Sequence, residues 1–109
     1  MNPPLRPEVL RRRLQRLDEA LQFLERSRRY TLEEFLADPE RYGAAERFLQ
    51  VAIEAADDCA AHIVAALALG PVETARDLPR LLAEHGFLEP ELAQRWMRAI
   101  GFRNVLVHE

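Results

Sequence analysis

The sequence predicts an all-α fold, an up-and-down bundle of two long antiparallel helices joined by several short ones. Three observations carry this. Apolar residues recur at spacings of three and four through two long segments, the signature of helices with one buried face. No stretch alternates polar and apolar residues for long enough to build a sheet. Capping and breaking residues then divide the rest into short helical pieces.

In chain order, the first helix is expected to start near Pro7, a favoured first-turn residue, with Glu8 well placed on the helix dipole. Leu10, Leu14, Leu17, Leu21 and Leu24 follow at spacings of 4, 3, 4 and 3. This heptad stripe is too short for an independent coiled coil and reads as a bundle helix ending between Ser27 and Tyr30. Thr31 and Glu34 form a capping box for a short helix bearing Leu32, Phe35 and Leu36, which Asp38-Pro39 stops. A second long helix is expected from Tyr42 to Leu69, its inner side formed by residues from Phe48 to Leu67, with Gly70-Pro71 ending it. Asp77 is expected to N-cap a helix closed by Gly86. Glu89-Pro90-Glu91 opens a last helix through Trp96 and Ile100, with Gly101 as a candidate kink or restart.

At 109 residues and 12.6 kDa the chain is expected to be a single domain, with residues 1–6 as a flexible N-terminal arm. One cysteine, Cys59, excludes a disulfide framework and a cysteine-rich metal site. No apolar run approaches the roughly 20 residues that a membrane helix needs, and no signal peptide is visible behind Pro3 and Pro4. A cytoplasmic protein with no membrane partner is the expectation.

The chain has 15 basic residues, all Arg, against 18 acids, for a net charge of −3. A non-specific nucleic-acid coat would be basic overall, so bulk electrostatic binding is disfavoured. The charge is nevertheless uneven. Residues 5–29 hold eight Arg and four acids, and residues 30–60 hold two Arg and eight acids. Arg11, Arg12, Arg13 and Arg16 therefore read either as the solvated face of a helix or as a local basic surface.

The segment with chemical content is the last one, Gly101-Phe102-Arg103-Asn104-Val105-Leu106-Val107-His108-Glu109. Arg103, Asn104 and His108 are polar groups set into an apolar stretch. Asn104 and His108 share a helix face, whereas Arg103 and His108 are about 140° apart and about 7.5 Å along the axis. One helix does not hold that pair side by side, but two copies related by a two-fold axis can bring two Arg and two His into one cleft. Such a cleft suits phosphodiester cleavage. His exchanges protons near neutral pH, Arg stabilises charge developing on a phosphate, and RNA supplies its own 2′-hydroxyl nucleophile.

A second constellation, Glu54, Asp58 and His62 with Asp57 beside them, forms one stripe of the long central helix. A single helix gives an incomplete metal shell, so no metal is expected. The stripe reads either as polar lining of the motif, with Asp58 orienting His108 or pairing with an Arg, or as a solvated face. Cys59 reads as a small buried hydrophobe, His85 as a helix C-terminal residue, and Trp96 and Met97 as core or dimer contacts.

The segment from Gly101 to Glu109 closely resembles the signature of HEPN-domain proteins, in particular HepT-like toxins, whose pattern is Arg-x4-His with Asn commonly after the Arg. The resemblance extends over residues 30–69 and the segments leading into the motif. It implies a HEPN-type helical bundle and a homodimer with the motif lining a shared cleft. It also implies metal-independent endoribonuclease activity as the toxin of a toxin–antitoxin pair, without a cofactor. Carried onto this chain, Arg103 and His108 become the catalytic residues, with Asn104 in support; Asp58 is added as a supporting residue from the reading of the helix stripe alone. The implied partners are RNA and an MntA-like nucleotidyltransferase antitoxin, which is thought to add AMP to a Tyr two residues after the His. The sequence given stops at Glu109, so a bundle without that Tyr and without the family's closing helix is expected. The alternative is a non-catalytic partner that binds the nucleotidyltransferase.

Overall fold

The computed structural model describes residues 4–108, with side chains as far as Leu106. It contains five helices and, among the described residues, no strand: α1 (Pro7–Ser27), α2 (Leu32–Ala37), α3 (Pro39–Leu67), α4 (Asp77–Glu84) and α5 (Pro90–His108).

α1 and α3 are antiparallel, as expected. Arg6 lies beside His62, Arg13 beside Asp58, and Phe23 stacks on Phe48 with ring centroids 4.1 Å apart. Ala20 is the buried residue of α1, and Ala52, Ala55, Cys59 and Ala60 are among those buried on α3. Small side chains let neighbouring backbones approach closely, and the stacked Phe23–Phe48 pair adds an aromatic contact between the two helices. The leucine stripe is split by this packing. Leu10, Leu17 and Leu24 are half-buried, whereas Leu14 and Leu21 remain about half exposed.

The other side of α3 carries the main core. Ala60 and Val64 pack with Leu78, Leu81 and Leu82 of α4, and Ile63, Leu69, Leu88 and Trp96 close around them. Ile100 and Ala93 bury α5 against this assembly. α3 is thus a central rod, covered by α1 on one side and by α4 and α5 on the other.

The local signals act mostly as the sequence predicts. Thr31 Oγ1 accepts from Glu34 N–H, and Glu34 Oε1 accepts from Thr31 N–H, completing the capping box that starts α2. Gly86 is left-handed (φ 80°) just beyond α4, and His85 Nδ1 lies 2.9 Å from the Leu81 carbonyl oxygen. The expected flexible arm is tied at its end, where Arg6 N–H donates to His62 Nε2 at 2.9 Å; residues 1–3 of the arm lie outside the described residues.

Four details differ from expectation. α3 begins three residues early, because Asp38, expected only to stop α2, also caps α3 by accepting from Glu40 N–H at 2.9 Å. α3 ends at Leu67 instead of Leu69, with Ala68 in the left-handed conformation (φ 52°) ahead of Gly70. Asp77 does not cap its own helix; its carboxylate accepts from Glu73 and Thr74 N–H and folds the preceding turn. α5 does not restart at Gly101 but continues through it, making a third long helix of 19 residues. A Cβ there would meet only the tip of the exposed Arg76 side chain, which can move aside.

Two substitutions test this packing. Ile100→Ala empties a site only 1% exposed and should cost about 2–5 kcal/mol in urea denaturation. Ala68→Gly relieves a left-handed alanine and should stabilise by about 1 kcal/mol, read as a raised Tm.

Candidate active site

The motif occupies the last two turns of α5, and the helix runs unbroken through it. A regular helix sets positions 103 and 108 about 140° apart around its axis. The His108 side chain lies outside the described residues. Arg103 is held from α3: Glu54 Oε1 accepts from its Nη2 at 2.6 Å and from its Nε at 3.2 Å. Arg103 Nη1 donates to Asn104 Oδ1 at 3.3 Å, so the two adjacent motif residues are in contact.

Three of the five guanidinium N–H donors are engaged by these bonds. The Arg103 side chain is 29% exposed and that of Glu54 40%. The pair is wet enough that its worth lies more in fixing the guanidinium than in stability, since such pairs contribute about 1 kcal/mol or less. Positioned in this way, the guanidinium keeps donors available for a phosphate oxygen.

The acidic stripe of α3 is divided among its neighbours. Glu54 faces α5 and binds Arg103, Asp58 faces α1 and meets Arg13 at 3.4 Å, and His62 accepts from the Arg6 backbone. Asp58 is thus paired, at the exposed surface, with an Arg of α1. Among the described residues no group of three His, Cys, Asp or Glu side chains converges on a metal position.

Asp57 goes the other way from Asp58. Its Oδ1 accepts from Trp96 Nε1 at 2.8 Å, joining α3 to the middle of α5. Burial pushes its pKa up to about 6; the Trp96 hydrogen bond opposes this, Asp58 and Glu54 add to it, and Arg103 lowers it again. Trp96, expected in the core or a dimer contact, is thus half-buried with its indole N–H satisfied. Burial likewise raises the Cys59 thiol, as befits a small buried hydrophobe.

Sequence reasoning assigned the support of the motif to Asp58 and did not single out Glu54 as the partner of Arg103 or Asp57 as the partner of Trp96. The signal was present in the helix angle. Asp57 and Asp58 are 100° apart, so on a helix covered from two sides they serve different neighbours. What the spacing lacked was which side faces which helix.

Helical bundle, polar motif on the last helix and central acidic stripe together define an all-α protein whose adjacent Arg103 and Asn104 side chains are joined by a hydrogen bond. The profile of the family described as HepT-like, ribonuclease HepT-like, matches residues 17–109. The chain belongs to the HepT-like ribonuclease family. A tRNA nuclease HepT of Aphanizomenon flos-aquae (strain 2012/KM1/D3) is 31% identical over 105 residues, spanning 96% of this chain and 71% of that protein. A chain in a crystal structure of a toxin–antitoxin with AMP-PNP superposes with a TM-score of 0.84. That match covers 94% of this chain and 76% of the other at 22% identity, a likeness of fold.

The Asp57 environment generates a pH prediction. A carboxyl whose pKa rises on folding binds its proton more tightly in the native state, so its ionisation erodes stability as pH climbs from about 4 to about 6. Asp57→Asn keeps an acceptor for Trp96 and removes the charge. The variant should gain in Tm relative to the parent at pH 7 and lose that advantage at pH 4. An equal difference at both pH values would contradict the assigned environment.

Proposed function

We propose that this chain is a metal-independent endoribonuclease, the toxin of a toxin–antitoxin pair, working as a homodimer on RNA in the cytoplasm. The observation that carries the reading is the Arg103 guanidinium, fixed by Glu54 and Asn104 on the motif helix of a HepT-like ribonuclease. The tRNA nuclease activity in the name of its 31% identical relative supports RNA as substrate.

In this reading the RNA 2′-oxygen attacks the adjacent phosphorus and the P–O5′ bond breaks, leaving a 2′,3′-cyclic phosphate and a 5′-hydroxyl. One His108 accepts the 2′-hydroxyl proton, and a second, from the other copy, returns a proton to the leaving 5′-oxygen. Arg103 stabilises the charge gathering on the phosphoryl oxygens. Glu54 is a positioning residue, because it touches Arg103 and not the substrate. Asn104 supports Arg103 from the neighbouring position, and Asp58 supports the site at one remove, by anchoring Arg13.

The two-copy arrangement draws support from the helix angle, which keeps one chain's Arg103 and His108 apart. It also draws on apolar surface left uncovered in one copy: Leu14 and Leu21 on α1, Phe102 and Val105 on α5, each about half exposed. An MntA-like nucleotidyltransferase is the antitoxin that the family resemblance implies. No helix among the described residues is long and apolar enough to cross a membrane.

The test is cleavage of RNA in the presence of EDTA. The parent should cleave and leave cyclic-phosphate ends, while Arg103→Ala and His108→Ala should each lose at least about 10²-fold in rate. Glu54→Gln, which keeps an acceptor for Arg103, should retain more activity than Glu54→Ala. Undiminished cleavage by His108→Ala would remove that residue from the mechanism.

A further inference from the structure

The N-terminal half of α1 is the most basic segment of the protein. Residues 5–17 contain five Arg and one acid. Arg13 is engaged by Asp58, but loosely, at 3.4 Å with both side chains about half exposed. Arg12 and Arg16 form no ion pair among the described residues, although they stand one turn apart on the same face. With Arg13 and Val9 they line an open cleft of about 380 Å³.

This cleft is linked to the motif through α3. Asp58 holds Arg13 and Glu54 holds Arg103, and these carboxylates lie one helical turn apart, about 6 Å along one stripe. The ion pairs from α1 and α5 therefore meet the same exposed strip of the central helix. Arg13 and Arg103 are already compensated by carboxylates, whereas Arg12 and Arg16, which line the cleft with Arg13, carry unspent charge.

We propose that Arg12 and Arg16, flanking Arg13, form a docking surface for the phosphate backbone of the RNA, contiguous with Arg103. The inference rests on the ribonuclease reading above and extends it to where the strand lies outside the reacting phosphate. A polyanion suits this cleft better than a protein does. Among the described residues its lining is three guanidinium groups and one valine, with none of the aromatic side chains that centre protein interfaces. Guanidinium groups fork onto phosphate oxygens, and neutralising phosphates releases counterions from the strand. A local basic surface of this kind reconciles RNA binding with a net charge of −3.

The experiment measures binding of a short fluorescein-labelled single-stranded RNA by anisotropy over a range of salt concentrations. All proteins carry His108→Ala, so the strand stays intact. Arg12→Gln/Arg16→Gln should weaken binding and flatten the slope of log K against log salt by about 1.4, or about 0.7 for each lost phosphate contact. Arg28→Gln/Arg95→Gln removes the same charge from residues paired with Glu25 and Glu91 elsewhere on the surface. It should leave the slope unchanged. Circular dichroism should show equal helicity in both variants, which keep good helix formers at exposed positions.

An unchanged slope in the α1 variant would overturn the proposal, as would equal flattening in both. Loss of binding to a nucleotidyltransferase partner with RNA affinity intact would assign the cleft to a protein instead, and also overturn it. Tight, α1-dependent RNA binding beside a parent that does not cleave RNA would support the docking surface and sink the nuclease reading.

Discussion

The fold depends on one constraint: α3 must be buried from two sides at once. A 29-residue helix is about 43 Å long, and neither α1 nor the α4–α5 pair covers it alone. Its composition answers that demand. Ala52, Ala55 and Ala60 are buried where neighbours press close, while Ile53 and Val64 supply the bulk that the core requires. Only the strip of α3 left between its two coverings is free to be charged, and Glu54 and Asp58 fall on it. The fold thereby decides where carboxylates can meet arginines.

Along that strip, the charges differ in purpose because they differ in burial. Asp57 is pushed inward against Trp96, where its charge costs stability and its hydrogen bond fixes the contact between α3 and α5. Glu54 stays wetter and spends its charge on orienting Arg103. Asp58, wetter still, tethers α1 loosely through Arg13. Three acids within five residues thus form a gradient from structural to positioning to peripheral. Arg103 meets this gradient at Glu54, where α5 packs against α3.

Much of this was legible from the residues. The capping box at Thr31 and Glu34, the start of α1 at Pro7 and the close of α4 at Gly86 are local events, decided by groups within four residues of each other. The motif could be read for the same reason, since Arg103, Asn104 and His108 lie within six residues of chain. The misread details involve distant partners. Gly101 looked like a weak point because a glycine costs helix propensity, yet α5 continues through it beside the fully buried Ile100. The leucine stripe looked uniform because a heptad has no preferred member, yet Ala20 sits closest to α3 and leaves Leu14 and Leu21 outside.

By itself the sequence determined the helical class, four of the helix starts to within a residue, and the family to which the chain belongs. Periodicity and capping are short-range properties, and both are written in neighbouring residues. Only the tertiary structure decided that Glu54 holds Arg103, that Asp57 joins Trp96, and that Asp58 belongs to α1. Those choices turn on how α3 is rotated between its neighbours. A helix repeats its angles regardless of what surrounds it, so the rotation becomes fixed only when the two flanking surfaces are packed against it.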